Sequence, residues 1–221
     1  LESLQQLLSD GFSRQKFNLS AYGPQEQLTL CYVLANSIMY LYPGQWARPA
    51  LGSDRIFFPA RNTTSQVSNY SSEPDLTAPY LSVELGSESN SQELPDPTQC
   101  HLHPAILALG IVFLEIHTGQ RFPRSRHPIA CQRYNEDNFN ANELFRSLQQ
   151  KGRQRNGGKR LSTGLKDAIQ HCLKLEPPQA CQTTSLYLLD EGPIRYYILT
   201  SIVQPLAFEL ETAYGVSLKD L

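Results

Sequence analysis

Residues 102–120, LHPAILALGIVFLEIHTGQ, leave this chain few folds to choose from. His103-Pro104 can open a helix, because proline at the first helical position gives up only an N–H that has no partner inside the helix. Thr118-Gly119 can close one, with His117 at the negative C-terminal end. Between them Ile106, Leu107, Leu109, Ile111, Val112, Phe113, Leu114 and Ile116 point in every direction around the axis. A helix that is apolar all round must be wrapped by other elements. At about a dozen residues it is too short for a bilayer, which asks for roughly 20. It is therefore expected to be the hydrophobic centre of the domain, enclosed by elements from both sides of it in sequence. Glu115, alone among these neighbours, reads as a buried, partnered structural carboxyl rather than a general base.

Spacing signals the surrounding helices. Pro24 and Glu26 suit the first turn of a helix in which Leu30, Leu34, Ile38 and Leu41 line one face, with Cys31 and Ala35 beside them and Pro43-Gly44 at its end. SDRIFF (53–58) reads as a short strand stopped by Pro59. Asn140–Gln150 gives an amphipathic helix on Leu144, Phe145 and Leu148. Ser162 caps another, with Leu165, Ile169, Cys172 and Leu173 as its buried stripe and Pro177-Pro178 beyond its end. Ile194, Ile198, Ile202, Leu206 and Leu210 recur every four residues and predict a long last helix, kinked at Pro205. From 61 to 100 the chain is polar, Ser-rich and broken by prolines. Only APYLSVEL has apolar surface to offset ordering entropy, so a long loop anchored at Tyr80-Leu81 is expected. The fold class that follows is mainly α. Residues 1–221 form one domain around the central helix 106–116, with at most a short hairpin near 55–58. Residues 61–100 and 151–160 are flexible insertions, and 1–20 lie at the periphery.

Composition narrows the function classes. Among 221 residues, 19 Lys+Arg against 21 Asp+Glu give a net charge of −2, which offers no support for a protein that neutralises nucleic-acid phosphates. Eleven Tyr and nine Phe are too many aromatics for a disordered acidic chain. The five cysteines, Cys31, Cys100, Cys131, Cys172 and Cys181, are odd in number, widely spaced and without a CxxC, which favours a reducing compartment over a disulfide framework or a zinc ribbon. The triplets at Asn18, Asn62 and Asn69 fit glycosylation but arise easily in a chain so rich in Asn, Ser and Thr. LESLQQLLSD lacks the basic start of a signal peptide, and no apolar run reaches membrane-spanning length. A cytoplasmic protein is expected; a chain beginning without Met reads as an excerpt of a longer one.

Motifs for chemistry are sparse. Dinucleotide and P-loop glycine patterns, a Gly-x-Ser-x-Gly elbow and His-Glu-x-x-His are all missing. Cys100-His101-Leu102-His103 would ligate zinc only with a second pair of ligands, and a loop leading into a helix is the preferred reading. His171 and Cys172 are adjacent on a helix, about 100° apart, which rules out a base–nucleophile pair. Lys151, Arg153, Arg155, Lys159 and Arg160 cluster around Gly157-Gly158. They form either a docking patch for phosphate groups or, preferably, a solvated loop, since no aromatic residue is interleaved to stack a base.

In order along the chain, LANSIMYLYPGQW (34–46), SDRIFF, LALGIVFLEIHTGQ (107–120) and QHCLKLEPP (170–178) resemble the C-terminal lobe of a protein kinase. The counterparts are the helix before the catalytic loop, the short strand after it, the buried Leu-Gly-bearing helix and a late Cys-Leu-x-x-Asp-Pro helix. More closely, these pieces, with Trp46 and the terminal IVQPLAFELE, resemble a fungal domain of unknown function found C-terminal to prion-inhibition and HeLo-type helical domains. The resemblance covers residues 24 to about 212.

Transferred residue by residue, the resemblance implies a scaffold without its chemistry. Arg55 stands where a kinase has its magnesium-binding Asn, and Ala50 where it has its catalytic Asp. Ala105 replaces the Asp that opens the buried helix, and Ala180 replaces the structural Arg after the late helix. No His-Arg-Asp, Asp-Phe-Gly, Gly-rich loop or Val-Ala-x-Lys occurs, and phosphoryl transfer relies on those parts. The resemblance thus implies a non-enzymatic, cofactor-free interaction or regulatory module of a larger signalling or heterokaryon-incompatibility-type protein. Its partner would be another protein or a neighbouring domain, met through Trp46, Arg48 and Asp54 near the vestigial groove, although a core position is the preferred reading of Trp46 itself. The alternatives are the lower lobe of an ATP-binding kinase whose upper lobe lies upstream, and a phosphate or lipid docking module acting through 151–160.

Overall fold

The apolar stretch becomes helix α3, Pro104–Thr118, and every residue from Ala105 to His117 is buried. Gly119 ends it in the left-handed conformation (φ 69°) that glycine adopts without steric cost, and its N–H closes the last turn on the Glu115 carbonyl. The structure, a computed structural model, describes residues 1–8, 19, 22–42, 51–60, 74–82, 98, 100–101, 103–152, 160–174 and 191–220. Around α3 lie α2 (Pro24–Leu41), α4 (Ala130–Lys151) and α5 (Thr163–Lys174). Against both α5 and α2 packs a C-terminal stack: α6 (Glu191–Ile198), a π-helical turn (Leu199–Val203) and α7 (Gln204–Tyr214). The fold is mainly α, as the apolar patterning requires, and one continuous core reaches from Leu4 to Leu210.

Two glycines set the closest helix approaches. A Cβ on Gly110 would sit 2.6 Å from Cys172 Cβ, so α3 and α5 touch backbone to side chain at the middle of the core. At Gly164 an added Cβ would run into the Pro205 carbonyl, which fixes the start of α5 against the start of α7. The side of α2 that faces the core carries Leu30, Cys31, Leu34, Ala35 and Ile38. Its C-terminal end meets α6, where Arg195 Nε donates to the Tyr42 carbonyl at 2.7 Å, while Tyr32 lies near Glu211 of α7. Hence α2 and the C-terminal stack run antiparallel.

Several expectations are corrected. Residues 2–8 are not peripheral: Leu4, Leu7 and Leu8 are buried, and so is Leu19. The segment is held by a strand β1 (Glu2–Ser3) and a four-residue helix α1 (Leu4–Leu7), with Ser3 and Gln6 capping each other reciprocally. In place of a local hairpin near 55–58, β2 (Ile56–Phe58) is the centre of a three-stranded antiparallel sheet, paired with β1 on one side and β3 (Tyr80–Leu81) on the other. Both partners come from far along the chain, so no turn signal announces them. Helix α4 begins ten residues before the expected Asn140, because its first turns are held by polar bonds in place of apolar spacing. Just ahead of Pro205, where the sequence predicts a kink, the helix widens into the π turn at Leu199–Val203. Gln204 N–H reaches back five residues to the Leu199 carbonyl, and the proline that follows has no N–H to donate to Ser201.

Candidate functional site

Polar groups enter the core at both ends of α3. At the N-terminal end, His101 is buried and uses both ring nitrogens: Nε2 donates to the Cys172 carbonyl at 2.9 Å, and Nδ1 accepts the His103 N–H at 3.3 Å. His103 Nδ1 meets the Tyr42 hydroxyl at 2.5 Å, with the two rings edge-on. If the hydroxyl donates, Nε2 carries the ring hydrogen, and this buried atom finds no partner among the described residues. Burial, reinforced by His101, pushes the His103 imidazole down to about 4. Burial also lowers His101, and the hydrogen bonds to Cys172 and His103 only partly oppose it. These imidazoles are therefore neutral wedges joining α2, α3 and α5. His101 has no lone pair left for a metal, and among the described residues no cluster of three His, Cys, Asp or Glu side chains suits one.

At the C-terminal end Glu115, 3% exposed, accepts the Phe122 N–H on Oε1 at 2.9 Å. Its Oε2 has no hydrogen bond of good geometry among the described residues. Burial raises this carboxyl; the Phe122 N–H, Arg124, the Ser53 hydroxyl and Arg121 pull the other way without matching it. The segment after α3 is tied down further. Arg124 lies 3.7 Å from the buried Asp137 carboxylate, which accepts the Ser125 N–H at 2.7 Å. Arg121 donates to the Gln5 carbonyl, linking this turn to α1. Glu115 is thus a structural brace, in keeping with its reading from sequence.

Of the residues singled out for contact, Trp46, Arg48, Arg153, Arg155 and Lys159 lie outside the described residues. Asp54 is exposed on the turn before β2, and Lys151 is exposed at the last turn of α4. Arg160 is exposed and lines a cleft of about 160 Å³ with Leu148, Gln149, Gly152, Leu161 and Lys166. Lys151 and Arg160 thus belong to one end of α4, whereas Asp54 belongs to the sheet. Lys166 is a cation that the sequence reading overlooked, because it falls on α5 outside the charge run. Also overlooked was Gln27, buried, whose amide donates to the Leu19 and Tyr22 carbonyls. Large aromatics face solvent on α2 and the C-terminal stack: Tyr40 (70% exposed), Tyr196 (62%) and Phe208 (69%).

The architecture defines a small mainly helical protein with a three-stranded sheet at one side and an all-round apolar helix at its centre. Residues 1–213 match the family model of a domain of unknown function, DUF7580, and the chain belongs to that family. No curated protein and no solved structure gives a significant match to the chain. Among the described residues no helix is long and apolar enough to cross a membrane.

Proposed function

We propose that this chain is a non-catalytic interaction module, built like the lower lobe of a protein kinase and belonging to a larger fungal signalling or heterokaryon-incompatibility-type protein. The observation that carries the reading is what stands at the kinase-equivalent positions. Arg55, in place of the magnesium-binding Asn, is half-buried; its N–H donates to the Gly52 carbonyl and its carbonyl accepts from Ser82, which ties it into the sheet. His101, Glu115 and Asp137, with His103 beside the first, are bonded into loops and helix ends. Exposed Tyr40, Tyr196 and Phe208 supply the aromatic surface that a protein partner or neighbouring domain would use.

Thermal unfolding with and without millimolar ATP and magnesium tests this. A ligand at a hundred times its Kd would add about 2.7 kcal/mol, a shift of several degrees, so an unchanged midpoint is expected. A clear rise, or phosphate transfer to a generic substrate, would overturn it.

A second reading, docking of phosphate groups, is favoured by the cleft that Arg160 and Lys166 both line, with Arg153, Arg155 and Lys159 close to Arg160 in sequence. Neither cation makes an ion pair among the described residues. The C-terminal carbonyls of α4 lie at the same cleft and weaken its field for an anion. Replacing Lys151, Arg153, Arg155, Lys159, Arg160 and Lys166 by Ala would abolish any salt-sensitive binding to phosphate-bearing vesicles if this reading holds, and change nothing otherwise.

A further inference from the structure

Ser162 directly precedes α5, and the chain ahead of it is basic: Arg160 lies two positions before it and Lys159 three, with Lys151, Arg153 and Arg155 further back. A serine at such a place commonly turns its hydroxyl onto an N–H of the first turn, as the sequence predicts for Ser162. The structure differs. Glu209 of α7 takes that role, its Oε2 accepting the Gly164 N–H at 2.6 Å, and the Ser162 hydroxyl makes no hydrogen bond among the described residues. The Ser162 carbonyl alone serves the helix, accepting the Lys166 N–H at 2.9 Å. Ser162 is partly exposed, and residues 160–162 are neither helix nor strand.

Cations flank this unused hydroxyl. Arg160 before it and Lys166 after it line the same cleft as Leu161, and neither makes an ion pair among the described residues. Lys166 follows Ser162 by four positions, the spacing that makes side chains neighbours at a helix start. The last carbonyls of α4 weaken the cleft for an anion free in solution. An anion tethered to Ser162 is held instead at the opposite pole, the positive first turn of α5, where Glu209 already sits.

We infer that Ser162 is a phosphorylation site for a protein kinase that selects basic residues ahead of its serine, and that the phosphate displaces Glu209 from the first turn of α5. An acidic substrate groove would read Lys159 and Arg160 as charges at fixed offsets from the acceptor. The Ser162 oxygen attacks the γ-phosphorus of ATP, the bond to the β-phosphate oxygen breaks, ADP leaves, and the hydroxyl proton passes to the kinase's base. Hydrolysis by a phosphatase restores the hydroxyl and releases inorganic phosphate. The phosphoserine brings roughly two negative charges at neutral pH. Arg160, Lys166 and the N–H groups of the turn attract them, and the Glu209 carboxylate is repelled. Glu209 is a polar tie between α5 and α7, so the modification acts on the stack that presents Tyr196 and Phe208 to solvent. This inference is independent of the interaction-module reading.

The test is to incubate the protein with ATP, magnesium and the catalytic subunit of the cyclic-AMP-dependent protein kinase, then map phosphopeptides by mass and measure thermal unfolding. Ser162 is expected to be modified first and to completion. Ser162→Ala should abolish that phosphate while unfolding like the parent, and replacing Lys159 and Arg160 together by Ala should slow the transfer about tenfold or more. Glu209→Gln should lower the midpoint of the unmodified protein, yet leave that of the phosphorylated protein unchanged or raised. Failure of the kinase to modify Ser162 in the folded protein, modification of Thr163 in its place, or an equal loss from Glu209→Gln in both forms would overturn the proposal.

Discussion

At the N-terminal end of α3 the protein buries two imidazoles, and at the C-terminal end a carboxyl; in both places burial pushes the group toward its uncharged form. For histidine that means losing a proton, and for glutamate it means keeping one, so the two ends answer acid in opposite directions. They also differ in how they are bonded. His101 bonds two backbone groups from two elements, whereas Glu115 accepts one backbone N–H and its Oε2 has no hydrogen bond of good geometry among the described residues. The N-terminal end is a joint, the C-terminal end a prop under a turn, and removing them should not cost the same.

The largest effect is expected at the joint. His101→Ala leaves the Cys172 carbonyl and the His103 N–H without partners and opens a cavity, so a loss of about 3–5 kcal/mol is expected in denaturant unfolding. A loss below about 1 kcal/mol would erase the distinction between the two ends.

Next comes the pH profile. The folded His103 value, about 4, lies below the ordinary 6.5, so the unfolded chain holds more protons between those limits. Its contribution is therefore present above pH 6.5 and is lost as pH falls toward 4, by up to about 3 kcal/mol. His103→Asn should flatten that limb of the stability curve.

The smallest effect is at the prop. Glu115 titrates above its ordinary 4.5 when folded, so its contribution is complete below 4.5 and is lost as pH rises through the folded value. Glu115→Gln keeps an acceptor for the Phe122 N–H and removes the buried charge. A gain of about 1 kcal/mol at neutral pH is expected, vanishing near pH 4. Destabilisation by this variant at pH 7 would mean that Arg124, Arg121 and Ser53 outweigh burial, and the opposition between the two ends would disappear.

What the sequence makes legible here is apolar periodicity. The centre of the fold, α2, α5 and the last helical run were all readable from it, because α3 is apolar all round and each of the others presents a stripe that only a helix can bury. The strict four-residue spacing from Ile194 to Leu210 even contains the π turn. In an α-helix such a repeat drifts by about 40° per step and would carry Leu210 to the far side of Ile194. The wider π turn at Leu199–Val203 takes back roughly half of that drift, and all five residues stay buried.

Partners remote in sequence were not legible. Strands of two residues show no alternation, so β1 and β3 exist only through β2. The first ten residues of α4 are mostly polar and carry no apolar stripe, and their ties are to Ser125, Thr98 and Cys100. Tyr42 and His103, 61 positions apart, meet only because α2 ends where α3 begins.

The short pairing of β1 with β2 has a mechanical side. A pull on Leu1 would be borne by two residues of strand pairing and by the bonds of Gln5 to Ser53 and Arg121, ahead of any long helix. The first surface such a load would uncover is that of Leu4, Leu7 and Leu8, so tension at this terminus would be converted directly into stickiness.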